Sequence, residues 1–238
     1  MRKLWLLILY GLVLLIPTFW NRTPEIPADA AAAIPEKCKY VALTFDDGPK
    51  RGTTDVLLDG LRERGASATF FLVGEQAQYY PDLILRMQQE GHQVGNHTWS
   101  HTRLEGAQPE TIQTEVGRME AFLHGVLGGS GYWLRPPYGQ VTEGTEKTFS
   151  VPMVKWSVDP RDWESRDPQQ VLGNMLRSVK ENSIILLHDI YPTSVEAALK
   201  LVDALGGQGY CFVTVEELLR LNGVEPQAGV LYRTGTGT

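Results

Sequence analysis

Two aspartates, Asp46 and Asp47, stand side by side where the apolar run Tyr40-Val41-Ala42-Leu43 ends, and a glycine and a proline follow at once. Like charges this close repel unless a cation, an arginine or a shared proton holds them. His97 and His101 are four residues apart, a spacing that on a helical turn puts both imidazoles on one face, able to share a metal. Zinc proteases with this spacing place a glutamate directly after the first histidine as their base. Here that place holds Thr98, so a base must come from elsewhere, and the aspartate pair can supply it. Two histidines and one carboxylate are a common ligand set for catalytic zinc, with a position left open for water. One aspartate then binds the cation, and the other takes a proton from the water. Arg135 is the partner that keeps the second carboxylate ionised and oriented. His188 ends the apolar run Ile184–Leu187, and with Asp162 to orient it a general acid is available.

Distant segments meet only if the fold brings their ends together. Strand-like runs occur at Tyr40–Phe45, Ala68–Val73, Gln93–Asn96, Tyr132–Arg135, Val154–Val158, Ser183–Leu187 and Cys211–Thr214. Helical patterns lie between them, at Thr53–Arg64, Pro81–Glu90, Glu110–Leu127, Pro168–Lys180, Val195–Leu205 and Val215–Leu221. Strand alternating with helix implies parallel strands with crossover helices. Seven strands can curl into a distorted (β/α)7 barrel of the α/β class. An open doubly wound sheet is the rival, but no Gly-rich dinucleotide fingerprint follows the first strand. The polar clusters after the first, third, fourth, fifth and sixth runs then share the face on which such folds build their sites.

The 238 residues suffice for one substantial domain with its own core, and the composition is that of a globular protein, 42% apolar and 21% charged. The net charge is −6, and no basic run lies outside the extreme N-terminus, so nucleic-acid binding has no electrostatic footprint. Arg2 and Lys3 precede an apolar run from Leu4 to Trp20. Residues 1–22 therefore read as a secretory signal or an uncleaved membrane anchor. A Pro/Ala-rich linker, 23–37, leads to the domain proper at 38–224, and a flexible tail, 225–238, is expected after it. Export places the domain outside the cytoplasm, with contact to a membrane only through the N-terminal segment. Cys38 and Cys211 fall at the starts of the first and last strands. If the barrel closes they are neighbours and a disulfide is possible; two buried free thiols are the other reading. His92 reads as a structural hydrogen-bonding residue and His124 as solvent-facing.

The blocks TFDDGP, HTWSH, RPPYG, DPRDW and LLHD, at residues 44–49, 97–101, 135–139, 159–163 and 186–189, together resemble the polysaccharide deacetylases, carbohydrate esterase family four, over Tyr40 to Leu221. The resemblance implies a distorted (β/α) barrel and a divalent cation, most often zinc, with cobalt, nickel or manganese as alternatives. It makes Asp46 the general base and Asp47 a metal ligand, with His97 and His101 completing the metal triad. Arg135 would hold Asp46, and the backbone N–H of Tyr138 would help to stabilise the oxyanion. Asp162 would tune His188, which would protonate the leaving amine. Trp163 and Leu186 would form a small apolar pocket for the acetyl methyl. The implied substrates are acetylated glycans such as chitin oligomers or peptidoglycan. The alternatives are an O-acetyl esterase acting on xylan and a glycan-binding relative without turnover; no protein partner is implied. The segment Gly139–Ser150 departs from a regular helix.

Overall fold

The computed structural model describes residues 38–238. The expected signal or anchor and the linker lie outside them, and among the described residues no helix is long and apolar enough to cross a membrane. In chain order the elements are β1 (Lys39–Asp46), α1 (Thr54–Glu63), β2 (Ala68–Leu72), α2 (Gly74–Ala77), α3 (Pro81–Gln89), β3 (Gln93–Asn96), α4 (Pro109–Leu127), β4 (Met153–Val154), α5 (Pro168–Ser178), β5 (Ile184–His188), α6 (Pro192–Gly206), β6 (Tyr210–Phe212), α7 (Val215–Leu221) and β7 (Leu231–Tyr232). Proline opens α3, α4, α5 and α6, where its fixed φ suits the first turn and its missing N–H costs nothing. Thr214 and Glu217 close a capping box at the start of α7.

β1 is the centre of the sheet. It pairs in parallel with β2, β5 and, near its start, β6, while β2 pairs with β3. From β3 the ring continues through single bridges, Asn96 to Leu134 and Leu134 to Met153, and returns from Val158 to Ile185 of β5. The sheet therefore closes on itself, as the barrel reading requires, with one side nearly strandless.

That side is where the sequence reading overshot. Tyr132–Arg135 contributes the bridging residue Leu134, and Val154–Val158 pairs at its two ends with Trp156 unpaired between them. Pro136, Pro137, Pro152 and Pro160 flank these runs, and none can donate a ladder hydrogen bond. The segment expected to be a flexible tail instead carries β7, in register with β4 as Met153 to Leu231 and Val154 to Tyr232. Tyr232 is buried against the Val154 and Ile184 cluster, and the Gly235 N–H donates to the Asn182 carbonyl at 2.8 Å. A disulfide joins Cys38 to Cys211, with their Cα atoms 5.7 Å apart.

Alternation along β1 sorts the core into two layers. Val41, Leu43 and Phe45 face outward and pack with Leu57, Leu61 and Leu201 of α1 and α6. Ala42 faces inward, packing with Phe71, Val154 and Ile184 above a floor made by α7. Each such large side chain contributes about 1.5–3 kcal/mol by leaving water. The inward row continues through Thr44 to Asp46, so the pleat that builds the core also aims one aspartate into the mouth of the barrel. His92 has the structural place expected of it. Its Nδ1 accepts the Ala68 N–H at 3.2 Å, and burial lowers its pKa to about 4.

Candidate active site

The strand ends meet around a cleft of about 360 Å³. Asp46, Asp47, His97, His101, Asp159 and His188 form its polar side; Tyr138, Trp156, Trp163 and Leu186 form the rest. Arg135 and Asp162 lie behind this wall, fully buried. Backbone strain is concentrated here. Among the described residues, six non-glycine positions have left-handed φ, and five of them are Asp47 (71°), Thr98 (68°), His101 (57°), Tyr138 (61°) and Arg161 (59°). Such conformations cost on the order of 1–3 kcal/mol each and persist where the surroundings over-determine them.

His97 and His101 do not sit on a helical turn. Residues 97–101 form a bend, fixed by side chains that the sequence reading did not single out. The Asn96 side-chain oxygen accepts the Thr98 N–H at 2.8 Å. The Glu115 carboxylate accepts the N–H groups of Trp99 and Ser100 at 3.1 and 2.8 Å, and the Ser100 hydroxyl at 2.9 Å. The result still converges the two imidazoles. His97 Nε2 lies 3.7 Å from Asp47 Oδ1, and His101 Nε2 lies 3.5 Å from the same oxygen. Three donors at about 2.0–2.1 Å from a tetrahedral zinc stand roughly 3.3 Å apart, so the spacing fits a divalent cation. The chemistry fits as well. His97 Nδ1 donates to the Arg135 carbonyl at 2.6 Å, which leaves its Nε2 lone pair facing Asp47. Burial, and then the neighbouring His97, hold the His101 pKa down, in the neutral state a ligand needs. Asp47 Oδ1 is buried without a hydrogen-bond partner, a state that a cation relieves.

Asp46 has a different partner. Arg135 Nη1 donates to Asp46 Oδ1 at 2.8 Å and to the Thr44 hydroxyl at 2.7 Å, while Nη2 donates to the Lys155 carbonyl at 2.9 Å. The Thr44 hydroxyl in turn donates to the Ile185 carbonyl at 2.6 Å. The guanidinium lies 4.2 Å from the centre of the Phe71 ring. Burial pulls the Arg135 pKa down, and the charge and hydrogen bond of Asp46 oppose it. Arg135→Ala leaves Asp46 buried with no counter-charge, and breaking a buried pair in this way costs about 3–5 kcal/mol. Denaturant unfolding should show that loss, and a wild-type midpoint in Arg135→Ala would contradict the pairing.

Asp162 grips His188 twice, accepting its backbone N–H at 2.8 Å and its Nδ1–H at 2.9 Å. Burial alone would lower the His188 pKa. The hydrogen bond and charge of Asp162, with Asp46 and Asp47 nearby, push it up to about 9. Trp163 is 46% exposed and Leu186 is buried at the cleft wall. Tyr138 is 52% exposed, held between the Arg103 guanidinium at 4.2 Å and the His101 ring at 5.0 Å. Trp99, within the HTWSH block, is buried under Arg118 and does not line the cleft.

Two further residues escaped the sequence reading. Trp156 lines the cleft; it stands two positions after Val154, and the two-residue period of a strand could have pointed to it. Asp189 is fully buried, accepts a hydrogen bond from the Thr54 hydroxyl, and packs so tightly on Gly48 that any side chain there would overlap its carboxylate. Thr54 in turn accepts the Lys50 N–H at 2.8 Å. Burial raises the Asp189 pKa to about 7, with the Thr54 hydroxyl acting against it. Its signal was its place beside His188 in the LLHD block.

The family model described as polysaccharide deacetylase matches residues 33–150. The chain is 37% identical over 180 residues to the peptidoglycan-N-acetylmuramic acid deacetylase PdaC of Bacillus subtilis, covering 76% of this chain but 38% of that protein's length. It is 37% identical over 183 residues to a chitooligosaccharide deacetylase of Azorhizobium caulinodans, covering 75% of this chain and 85% of the relative. Among solved structures, a family 4 acetyl xylan esterase from Clostridium thermocellum, in complex with a cobalt ion, superposes with a TM-score of 0.77 at 31% identity, covering 82% of this chain and 98% of that one. The family model over residues 33–150, a relative matched over 85% of its length and a solved structure matched over 98% of its own lead to one assignment: the chain belongs to the polysaccharide deacetylase family.

Proposed function

We propose that the protein hydrolyses N-acetyl groups on a glycan containing N-acetylglucosamine or N-acetylmuramic acid, in peptidoglycan or chitin oligomers, and releases acetate outside the cytoplasm. One observation carries the reading. Adjacent carboxylates are held differently: a buried guanidinium donates to Asp46, while Asp47 Oδ1 has no hydrogen-bond partner and lies within 3.7 Å of both imidazoles, of which His97 also lies 3.6 Å from Asp46 Oδ2. Asp47, His97 and His101 would hold a divalent cation, zinc being the best match to this ligand set. When bound, such a cation supplies Lewis-acid charge and lowers the pKa of water towards neutrality.

The remaining work falls to the chain. The substrate methyl sits against Leu186 and Trp163. Asp46, held in place by Arg135, accepts a proton from the attacking water as the water oxygen bonds to the amide carbon. The Tyr138 N–H would donate to the developing oxyanion. His188 then gives its Nε2 proton to the sugar nitrogen as the carbon–nitrogen bond breaks, and acetate and a free amine result.

His188 must carry its proton to act as acid. A raised pKa keeps it protonated at neutral pH, and the proton is lost as pH rises through about 9. A cation beside Asp47 offsets part of the upward push. Activity should therefore fall on an alkaline limb at or below that value. Asp162→Asn should move the limb towards acid by about one pKa unit or more, and a pH–kcat profile that does not move would exclude this role for Asp162.

The kinship with an acetyl xylan esterase favours O-deacetylation as the second reading. Acetate measured after incubating the protein with peptidoglycan glycan, chitin oligomers and acetylxylan, with and without zinc, separates the two. Release from the N-acetyl glycans is expected; release from acetylxylan alone would overturn the proposal.

A further inference from the structure

One fully buried carboxylate has no part in the chemistry set out above. Asp189 follows His188 at the end of β5. A carboxylate so placed is unfavourable unless its oxygens are matched. One of them accepts the Thr54 hydroxyl, and the other, Oδ1, is buried with no hydrogen-bond partner. An aspartate at this position therefore calls for a reason beyond packing.

The register of the sheet supplies one. β1 and β5 run in parallel with Asp46 opposite His188, so the next residues along, Asp47 and Asp189, begin the two turns that leave the strands side by side. Asp189 and Ile190 hold the first of those turns at three points. The Asp189 carboxylate lies against Gly48, where any Cβ would overlap it. Thr54, hydrogen-bonded to Asp189, accepts the Lys50 N–H at 2.8 Å. Lys50 Nζ donates to the Ile190 carbonyl at 3.2 Å. On the other side of the turn the Val73 N–H donates to the Gly48 carbonyl at 3.2 Å. Asp47 stands directly before this gripped segment with a φ of 71°, a conformation that persists where neighbours impose it.

We propose that Asp189 is a positioning residue for the metal: it ties the turn after β5 to the turn after β1 and so fixes where Asp47 stands against His97 and His101. The proposal rests on Asp47 as a metal ligand, and it adds a residue that touches neither the cation nor the substrate. Loss of such a group behind a ligand weakens metal binding by about 10–100-fold. Because the tie starts beside His188, it also keeps the strand of the acid and the turn of the metal ligand at one spacing.

Competition between the metal-free protein and a zinc-binding dye gives the zinc Kd without turnover. Asp189→Ala should bind zinc about 10–100-fold more weakly than wild type. Asp189→Asn keeps an oxygen for the Thr54 hydroxyl and should stay close to wild type. Thr54→Val breaks the tie from its other end without leaving a cavity, and should lose about tenfold; it serves as the test should Asp189→Ala fail to fold. The rival role for Asp189 is local to the fold, since a carboxylate near the first turn of α1 favours that helix. In that case the unfolding midpoints of Asp189→Ala and Thr54→Val fall while their zinc Kd stays at the wild-type value, a result that would overturn the proposal. A loss in Asp189→Asn as large as that in Asp189→Ala would overturn it too, because the accepting oxygen would then not matter. Wild-type protein without zinc affinity would remove the metal reading and the proposal with it. The expected zinc losses in a protein that releases no acetate would leave the tie standing and refute the deacetylase reading alone.

Discussion

Asp46→Asn is expected to lower kcat for acetate release by about 10²–10⁴-fold, the usual contribution of a positioned general base. Asparagine keeps a side-chain oxygen able to accept the Arg135 Nη1–H that Asp46 Oδ1 accepts at 2.8 Å, so the guanidinium retains a partner and the wall of the cleft retains its shape. What the amide cannot do is take a proton from water. Loss of kcat with KM little changed is thus the signature to look for, read on protein whose circular dichroism matches wild type. The distinction from Asp47 sharpens the test. Asp47→Asn should instead weaken zinc affinity, and excess zinc should recover part of its activity, whereas Asp46→Asn should gain nothing from added metal. An Asp46→Asn protein that turned over a chitin oligomer at the wild-type rate would remove the base from the mechanism.

Chelation should abolish turnover, with a loss of at least about 10³-fold, because water without a cation loses the lowering of its pKa towards neutrality that a bound cation supplies. The fold should survive. Asp47, His97 and His101 lie at the mouth of the barrel, while the core layers around β1 and the Cys38–Cys211 bond do not involve them. Zinc should restore the chelated protein. His97→Ala should mimic chelation without being rescued, since it removes both a ligand and the bond to the Arg135 carbonyl. Full turnover in the presence of a strong chelator would mean that the Asp-His-His cluster serves some other end.

Much of this site could be read from the chain because each of its parts follows an apolar run and ends it. A strand that stops at Asp46, Asn96 or His188 declares both its own boundary and the face on which the polar group emerges. The parts that stayed hidden are those whose meaning is purely tertiary. Thr44 looks like an ordinary strand residue until Arg135, 91 positions away, donates to it. Glu115 sits on α4 among other polar residues, and nothing local marks it as the clamp of residues 99 and 100. α2 is four residues long, too short for any periodicity to register. β7 is two residues long, and its neighbours Gly229 and Gly235 read as loop; only the exposed edge of β4 gives it a reason to be ordered. The near-strandless side of the barrel was over-read for the opposite reason. Tyr132–Arg135 and Val154–Val158 have the composition of strands, and the prolines around them limited pairing more than their side chains promoted it.

The bond between Cys38 and Cys211 encloses a covalent loop spanning 173 positions, and Asp46, Asp47, His97, His101, Arg135, Asp162 and His188 all fall within it. Tension applied between the two ends of the polypeptide enters at Cys38, crosses the sulfur–sulfur bridge and leaves through Cys211 and the residues after it. The enclosed backbone, with every group that the chemistry uses, is bypassed by that load. A protein tugged by an entangled glycan mesh would surrender α7 and β7 before its aspartate pair felt the pull.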